Sequence, residues 1–280
     1  MDETAGSFVQ AWRQARPLRG LALRFLPAHE LAVPCWLALQ DQLLQSLYGI
    51  GAPQVALAKL AWWAEELARL AGGGARHPLA IALSADARIA RVPAALWPQA
   101  GTALLAAAEA PASRDFTAQC EEAESVFAAL ADIECALVFG ARADATRTRA
   151  VLARQALLCA LLQTPQRGAG GPLPLPLGAL ARHALSRERL ADAGAGARVA
   201  LAEHGGLLAQ SLRQSLRQPG PLLALRAAEA AHDIRALRRA ARAERPLAVL
   251  YARRQALGPV DAWRCWRLQR AVSRAGAGGP

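Results

Sequence analysis

Lysine is all but missing from this chain. Lys59 is the only one, so 32 of the 33 basic residues are arginine. Aromatic residues make up only 5%, and Met1 is the one methionine. Strand signals are nearly absent: no run alternates β-branched with polar residues, and no Asn-Gly pair marks a hairpin, which argues against a β-rich fold. No stretch reaches the roughly 18 apolar residues of a membrane span. The most apolar run, Ala150 to Leu162, is broken by Arg154 and Gln155. The five cysteines, at 35, 120, 135, 159 and 265, form no C-x-x-C pair, so they read as reduced core residues and not as metal ligands. Met1-Asp2-Glu3-Thr4 is acidic and no apolar core follows, so no secretory signal is expected and a cytoplasmic location is. Gly72-Gly73-Gly74 follows a helical segment and not a strand, which excludes a phosphate-cradling loop there.

What is present is helical. Hydrophobic residues account for 54% of the 280 and mean hydropathy is +0.14, ample for a core and too much for disorder. From Leu31 to Tyr48, apolar residues fall at 36, 37, 39, 43, 44 and 47, with Pro34 tolerable only in a first turn. Pro53 opens a helix that Gly72 ends. His77-Pro78 precedes a short apolar helix, and Pro93 opens another, kinked near Pro98. Asp115 caps a segment running to Phe139 and Gly140, and Ala145 to Leu162 is helical. Gln166 to Gly178 is a Gly/Pro loop, and Ser186 caps the next segment. Helices resume over 196–216, 221–243, 247–256 and 260–273. No linker or repeat divides the chain. The expectation is one all-α bundle of about ten helices over 20–274, with an N-terminal segment at 1–19 and a flexible tail at 275–280.

One segment is specific. Lys59-Leu60-Ala61-Trp62-Trp63-Ala64-Glu65-Glu66-Leu67 puts two tryptophans side by side on a helix, about 100° apart, where both read as core anchors. Gly74 and His77-Pro78 follow. Further on come Gly171-Pro172-Leu173-Pro174-Leu175-Pro176 and Leu185-Ser186-Arg187-Glu188, then Asp233 and the Trp263/Trp266 pair. In these features the chain resembles the squalene/phytoene synthase family of head-to-head prenyl transferases, over roughly residues 20–270. The resemblance implies the all-α isoprenoid synthase fold, with Lys59, Trp62, Trp63, Glu66, His77 and Pro78 as family-signature positions. It also implies a Mg²⁺-dependent site in which two D-x-x-x-D motifs on facing helices hold a diphosphate.

Those motifs are degenerate here. The first falls on Asp41 and Gln45, and an ungapped count back from Pro176 puts the second on Gln163 and Arg167, with Cys159 at the family's usual asparagine. An amide and a guanidinium do not replace a carboxylate on Mg²⁺. In this the chain resembles a degenerate branch that includes the mitochondrial complex I assembly factor 6. The expected function is therefore a squalene/phytoene synthase-like pseudoenzyme. It would bind an isoprenoid or lipid, or a partner protein, in or around an apolar central cavity, with no catalytic residue, metal or cofactor. The alternative is an active prenyl transferase with relocated carboxylates and Mg²⁺. Glu121 with Glu124 reads as a solvated face, and Asp132 and Asp233 as salt-bridge partners. The histidines at 29, 77, 183, 204 and 232 sit in no nucleophile-elbow context.

The charge is uneven. Arg226 to Arg274 holds 12 arginines against Glu229, Asp233, Glu244 and Asp261, which is +8 of the net +11. Arg235, Arg238, Arg239 and Arg242 share a helical face by spacing. Two readings stay open, a solvated face of an arginine-biased protein and peripheral contact with an anionic membrane. Nucleic acid is not expected, because no recognised module or stacking series accompanies the charge.

Overall fold

The computed structural model describes residues 3–25, 32–164, 171–191 and 194–277. Among these there is no strand. The helices in chain order are α1 (Glu3–Gln14), α2 (Pro17–Leu23), α3 (Ala32–Tyr48), α4 (Pro53–Ala71), α5 (Pro78–Ser84), a 3₁₀ turn η1 (Ala87–Arg91), α6 (Leu96–Glu109), α7 (Phe116–Val126) and α8 (Ala128–Phe139). Then follow α9 (Thr146–Leu162), α10 (Leu177–Arg182), α11 (Arg187–Ala191), α12 (Ala195–Ser215), α13 (Ala224–Ala240), α14 (Pro246–Gln255) and α15 (Pro259–Ala277). None of them is long and apolar enough to cross a membrane.

The sequence explains most of the boundaries. Pro17, Pro53, Pro78 and Pro246 each sit at the start of a helix, where the missing amide costs nothing. Asp115 accepts a hydrogen bond from the Ala118 amide at 2.9 Å and so caps α7. Three boundaries depart from expectation. The helix expected from Pro93 begins instead at Leu96, and Pro98 lies in its first turn, where amides need no partner, so it makes no kink. The segment from Asp115 to Phe139 is two helices. Phe127, with φ −93° and ψ 7°, bends the chain between them and buries its ring. The Gly/Pro loop gives way to helix at Leu177, one residue before Gly178. Such short breaks raise the count from about ten helices to fifteen among the described residues.

At the N-terminal end α1 packs on α3 and α2 on α13, with Trp12, Arg16, Leu18 and Arg19 buried. At the other end α15 continues to Ala277, three residues into the expected tail, and 278–280 lie outside the described residues.

Helices α3, α9 and α13 form the centre. Each buries most of its length, and they touch one another as well as the outer helices. On one flank α4 and α6 pack closely. α4 buries Ala56, Leu60, Trp63, Leu67 and Leu70, a stripe with helical spacing. Trp63 lies on that stripe and is 2% exposed, whereas Trp62 lies off it and is 38% exposed. Only one of the two tryptophans is therefore a core anchor.

The approach of α4 to α6 is set by Gly101. A Cβ there would fall 2.6 Å from the Ala64 Cα and 2.8 Å from its Cβ. Backbone would have to move to admit it. Gly101→Ala is expected to lower stability by about 1–3 kcal/mol in urea unfolding, the usual cost of overpacking. Unchanged stability would mean that the two helices separate freely.

Candidate functional site

Asp41 and Gln45 sit one turn apart on α3, and Cys159 and Gln163 occupy the end of α9. All four line one cavity of about 190 Å³. Gln163 Nε2 donates to Gln45 Oε1 at 3.2 Å, so the two amides occupy each other. Arg167, the remaining position that the resemblance implies, lies outside the described residues.

The rest of the wall comes from arginines and their partners. Arg19, on α2, donates from Nη2 to Asp41 Oδ1 at 2.9 Å and from Nε to Glu229 Oε1 at 3.1 Å. It also lies 4.8 Å from the Trp12 ring centroid. Arg16, just before α2, donates to Glu229 Oε1 at 3.0 Å and to Asp233 Oδ1 at 2.6 Å. Arg254 of α14 donates to the same Asp233 oxygen at 3.0 Å. A second cluster adjoins the first. Arg226 of α13 holds both oxygens of Glu134 at 2.5 Å and reaches Gln155 at 3.0 Å and Gln40. The Trp36 indole also donates to Glu134, at 3.1 Å.

These contacts set the charges. Burial works to raise the Glu229 pKa, but Arg16, Arg19 and Arg226 together hold it down at about 2. Burial also opposes the Arg19 cation, and Glu229 with Asp41 outweigh that, so its pKa rises. Arg16 is shifted down by burial and by neighbouring Arg254, although it remains paired with two carboxylates.

The resemblance implies Mg²⁺ at this place, and the residues do not fit it. Mg²⁺ demands free carboxylate oxygens in near-octahedral array. The two carboxylates on the wall, Asp41 and Glu229, are already bound by guanidinium groups. Among the described residues no group of three or more His, Cys, Asp or Glu is placed to hold a metal ion. The cavity is also not the apolar chamber expected from the sequence. At about 190 Å³ it is below the roughly 300–1,000 Å³ of sites that enclose drug-sized ligands. Arg16 Nε, Gln155 Nε2 and Gln163 Oε1 have no hydrogen-bond partner among the described residues. Such a lining suits water or a small polar molecule and not a hydrocarbon tail.

The other singled-out residues fall into two groups. Glu66 Oε1 accepts hydrogen bonds from the Arg76 and His77 amides, both at 2.6 Å. His77 Nδ1 accepts from the Leu79 amide at 3.2 Å and so caps α5, which Pro78 begins. Around the His77 ring stand Phe8, Trp63 and Trp62, with centroids at 4.7, 4.8 and 6.0 Å. Together they form the joint between α4 and α5, with Lys59 exposed on the outside. In the basic group, Arg235 is taken by Asp261 and by the Ala231 carbonyl. Arg238, Arg239 and Arg242 are exposed and make no ion pair among the described residues. Asp132 pairs with Arg149 at 3.1 Å and Asp233 with Arg16, as expected, whereas Glu124 is paired with Arg154 and is not a free solvated group. Among the described residues no disulfide is present, and Cys35, Cys120, Cys135 and Cys265 are buried.

The pairing arginines were not singled out in the sequence. One signal was there: Arg226, Glu229 and Asp233 sit on the stripe of α13 that also carries Leu225, Ala236 and Leu237, the face such a helix buries. No protein-family model matches the chain, and no curated protein matches it.

Two tests follow from the geometry. Arg19→Ala leaves Asp41 and Glu229 short of a cation in a buried place and is expected to cost about 3–5 kcal/mol. Arg238→Ala, on the surface, should stay within about 0.5 kcal/mol. Urea titrations of both variants compare them directly. Acid stability is the second test. His204 is buried against the Phe116 ring at 5.4 Å, and burial lowers its pKa from 6.5 to about 4. Between those values the unfolded chain binds the proton and the folded chain does not, so stability falls as pH drops from 6.5 toward 4. Glu229 adds a further loss as pH falls from 4.5 through about 2, on the order of 3 kcal/mol in all. Chemical denaturation across pH should show both limbs, and His204→Leu should flatten only the upper one.

Proposed function

We propose that this chain is a squalene/phytoene synthase-like pseudoenzyme of the isoprenoid synthase fold type. It has exchanged metal–diphosphate chemistry for an internal arginine clamp and acts by binding a lipid or a partner protein. The observation that carries this reading is the Arg19–Asp41 ion pair beside the Gln45–Gln163 hydrogen bond. At the positions where the family resemblance calls for paired carboxylates, one carboxylate remains and a guanidinium of the same chain neutralises it. The meeting of Asp41, Gln45, Cys159 and Gln163 on one wall supports the residue correspondence on which the resemblance rests.

The alternative, an active transferase with relocated carboxylates, needs unpaired acids on the cavity wall. Asp41 and Glu229 line it, and both are engaged by arginine. The polar lining and small volume also favour binding at the outer surface over enclosure of an isoprenoid chain.

Purified protein incubated with Mg²⁺ and farnesyl or geranylgeranyl diphosphate should release no diphosphate and form no hydrocarbon product. Calorimetric titration with Mg²⁺ should give no saturable heat. Release of diphosphate at a rate above the protein-free control would overturn the reading.

A further inference from the structure

We infer that the outer face of α15, together with the arginines at the end of α13, is a docking surface for an anionic lipid bilayer. Helix α15 packs on α13 and α2 through a buried side that carries Asp261 and Cys265. Its opposite side is open. Val260 and Trp263 are each 50% exposed and Trp266 is 43% exposed, and Leu257, just before the helix, is exposed as well. Spaced three apart, these four residues make one apolar strip along the surface. Two large indoles left in solvent forfeit much of the burial that drives folding, which marks the strip as a contact site.

The charge around the strip identifies the contact. The Arg267 guanidinium lies 4.5 Å from the Trp263 ring centroid, and that of Arg270 lies 4.9 Å from the Trp266 centroid. Arg238, Arg239 and Arg242 surround one surface depression with Arg235. Arg239 also lines the adjoining groove whose floor includes Leu257 and Val260, so the arginine cluster and the apolar strip are continuous. The one acid in that groove, Asp261, is already bonded to Arg235 and His232. Among the described residues, none of Arg238, Arg239, Arg242, Arg267 and Arg270 has a carboxylate partner. The surface thus offers exposed tryptophans and arginines without a carboxylate partner side by side.

That combination is what a bilayer interface accepts. Indoles settle at headgroup depth, and arginines face anionic headgroups and the counter-charge they supply. A second copy of the chain fits poorly, because it would bring like charges together. Single-stranded nucleic acid needs open ring faces for stacking, and here each indole has one face covered by its own arginine. The inference does not rest on the loss of metal chemistry at the cavity, since vesicle binding and diphosphate release are read separately.

The full chain should co-sediment with vesicles of phosphatidylcholine and phosphatidylserine in about 0.1 M salt and come off in about 1 M salt, where screening is severe. It should stay in solution with phosphatidylcholine alone. The triple variant R238Q/R239Q/R242Q should bind about tenfold or more weakly. W263A/W266A should weaken binding as well, with helical circular dichroism and thermal midpoint unchanged, because both side chains are exposed. In the unaltered chain, vesicles with brominated acyl chains should quench part of the tryptophan fluorescence, a readout that needs no variant to fold. Any of four results overturns the proposal: no binding to anionic vesicles at low salt, equal binding to neutral ones, full binding without quenching, or an oligonucleotide or a second copy bound more tightly than the vesicle.

Discussion

Buried guanidinium groups hold this fold together across its middle. Arg16 and Arg19 come from the start of the chain, Asp41 from α3, and Glu229 and Asp233 from α13. Arg254 ties α14 to the same carboxylate. Arg226 and Glu134 join α13 to α8, with Gln40 of α3 and Gln155 of α9 completing the shell. Helices far apart in sequence are thus fixed by contacts that have direction, unlike the leucine and alanine contacts around them. An alanine-rich core leaves many helix offsets nearly equal in energy, because small side chains interlock weakly. A buried charge does not, because moving it a few ångströms from its partner exposes the full desolvation cost. Here the network selects one arrangement among many apolar ones.

The same network decides what the cavity can do. Four arginines, Arg16, Arg19, Arg226 and Arg254, face four acids, Asp41, Glu134, Glu229 and Asp233. Inside, the books balance without a metal ion. A divalent cation entering the cavity would have to compete with a guanidinium for each wall carboxylate, Asp41 and Glu229. The excess of +11 therefore belongs wholly to the rest of the molecule. Part of it gathers on the α13–α15 face, where exposed indoles stand beside it.

Much of this was legible in the residues. The 3.6-residue periodicity and the placement of Pro and Gly gave α3, α4, α9 and α12 within a residue or two, because those helices start and stop on chemistry local to their ends. Where a boundary depends on tertiary burial, as at Phe127, no local residue signals it. The positions Asp41, Gln45 and Gln163, which the family resemblance implies, face one cavity. Their partners were hidden for a physical reason. Arg16 and Arg19 lie in the stretch 1–19, which reads as an N-terminal segment outside the bundle. A charged side chain is assigned to solvent unless its counter-ion is known, and Glu229 is about 210 residues away. Trp62 was misplaced for the opposite reason: its size suggested burial, and its angle on α4 prevented it.

The near absence of lysine acquires a meaning from these contacts. Arg226 spreads its donors over Glu134, Gln155 and Gln40 at once, and Arg19 over Asp41, Glu229 and the Trp12 carbonyl. A planar fork of five donors can do this in a crowded interior. A lysine ammonium puts three donors at one point and is more strongly hydrated, so it could neither bridge such partners nor be buried as cheaply. An arginine bias visible in the composition is thus what permits this charged centre. On the surface, where stacking on Trp263 and Trp266 again requires a flat cation, the same bias supplies a second kind of contact from the same residue type.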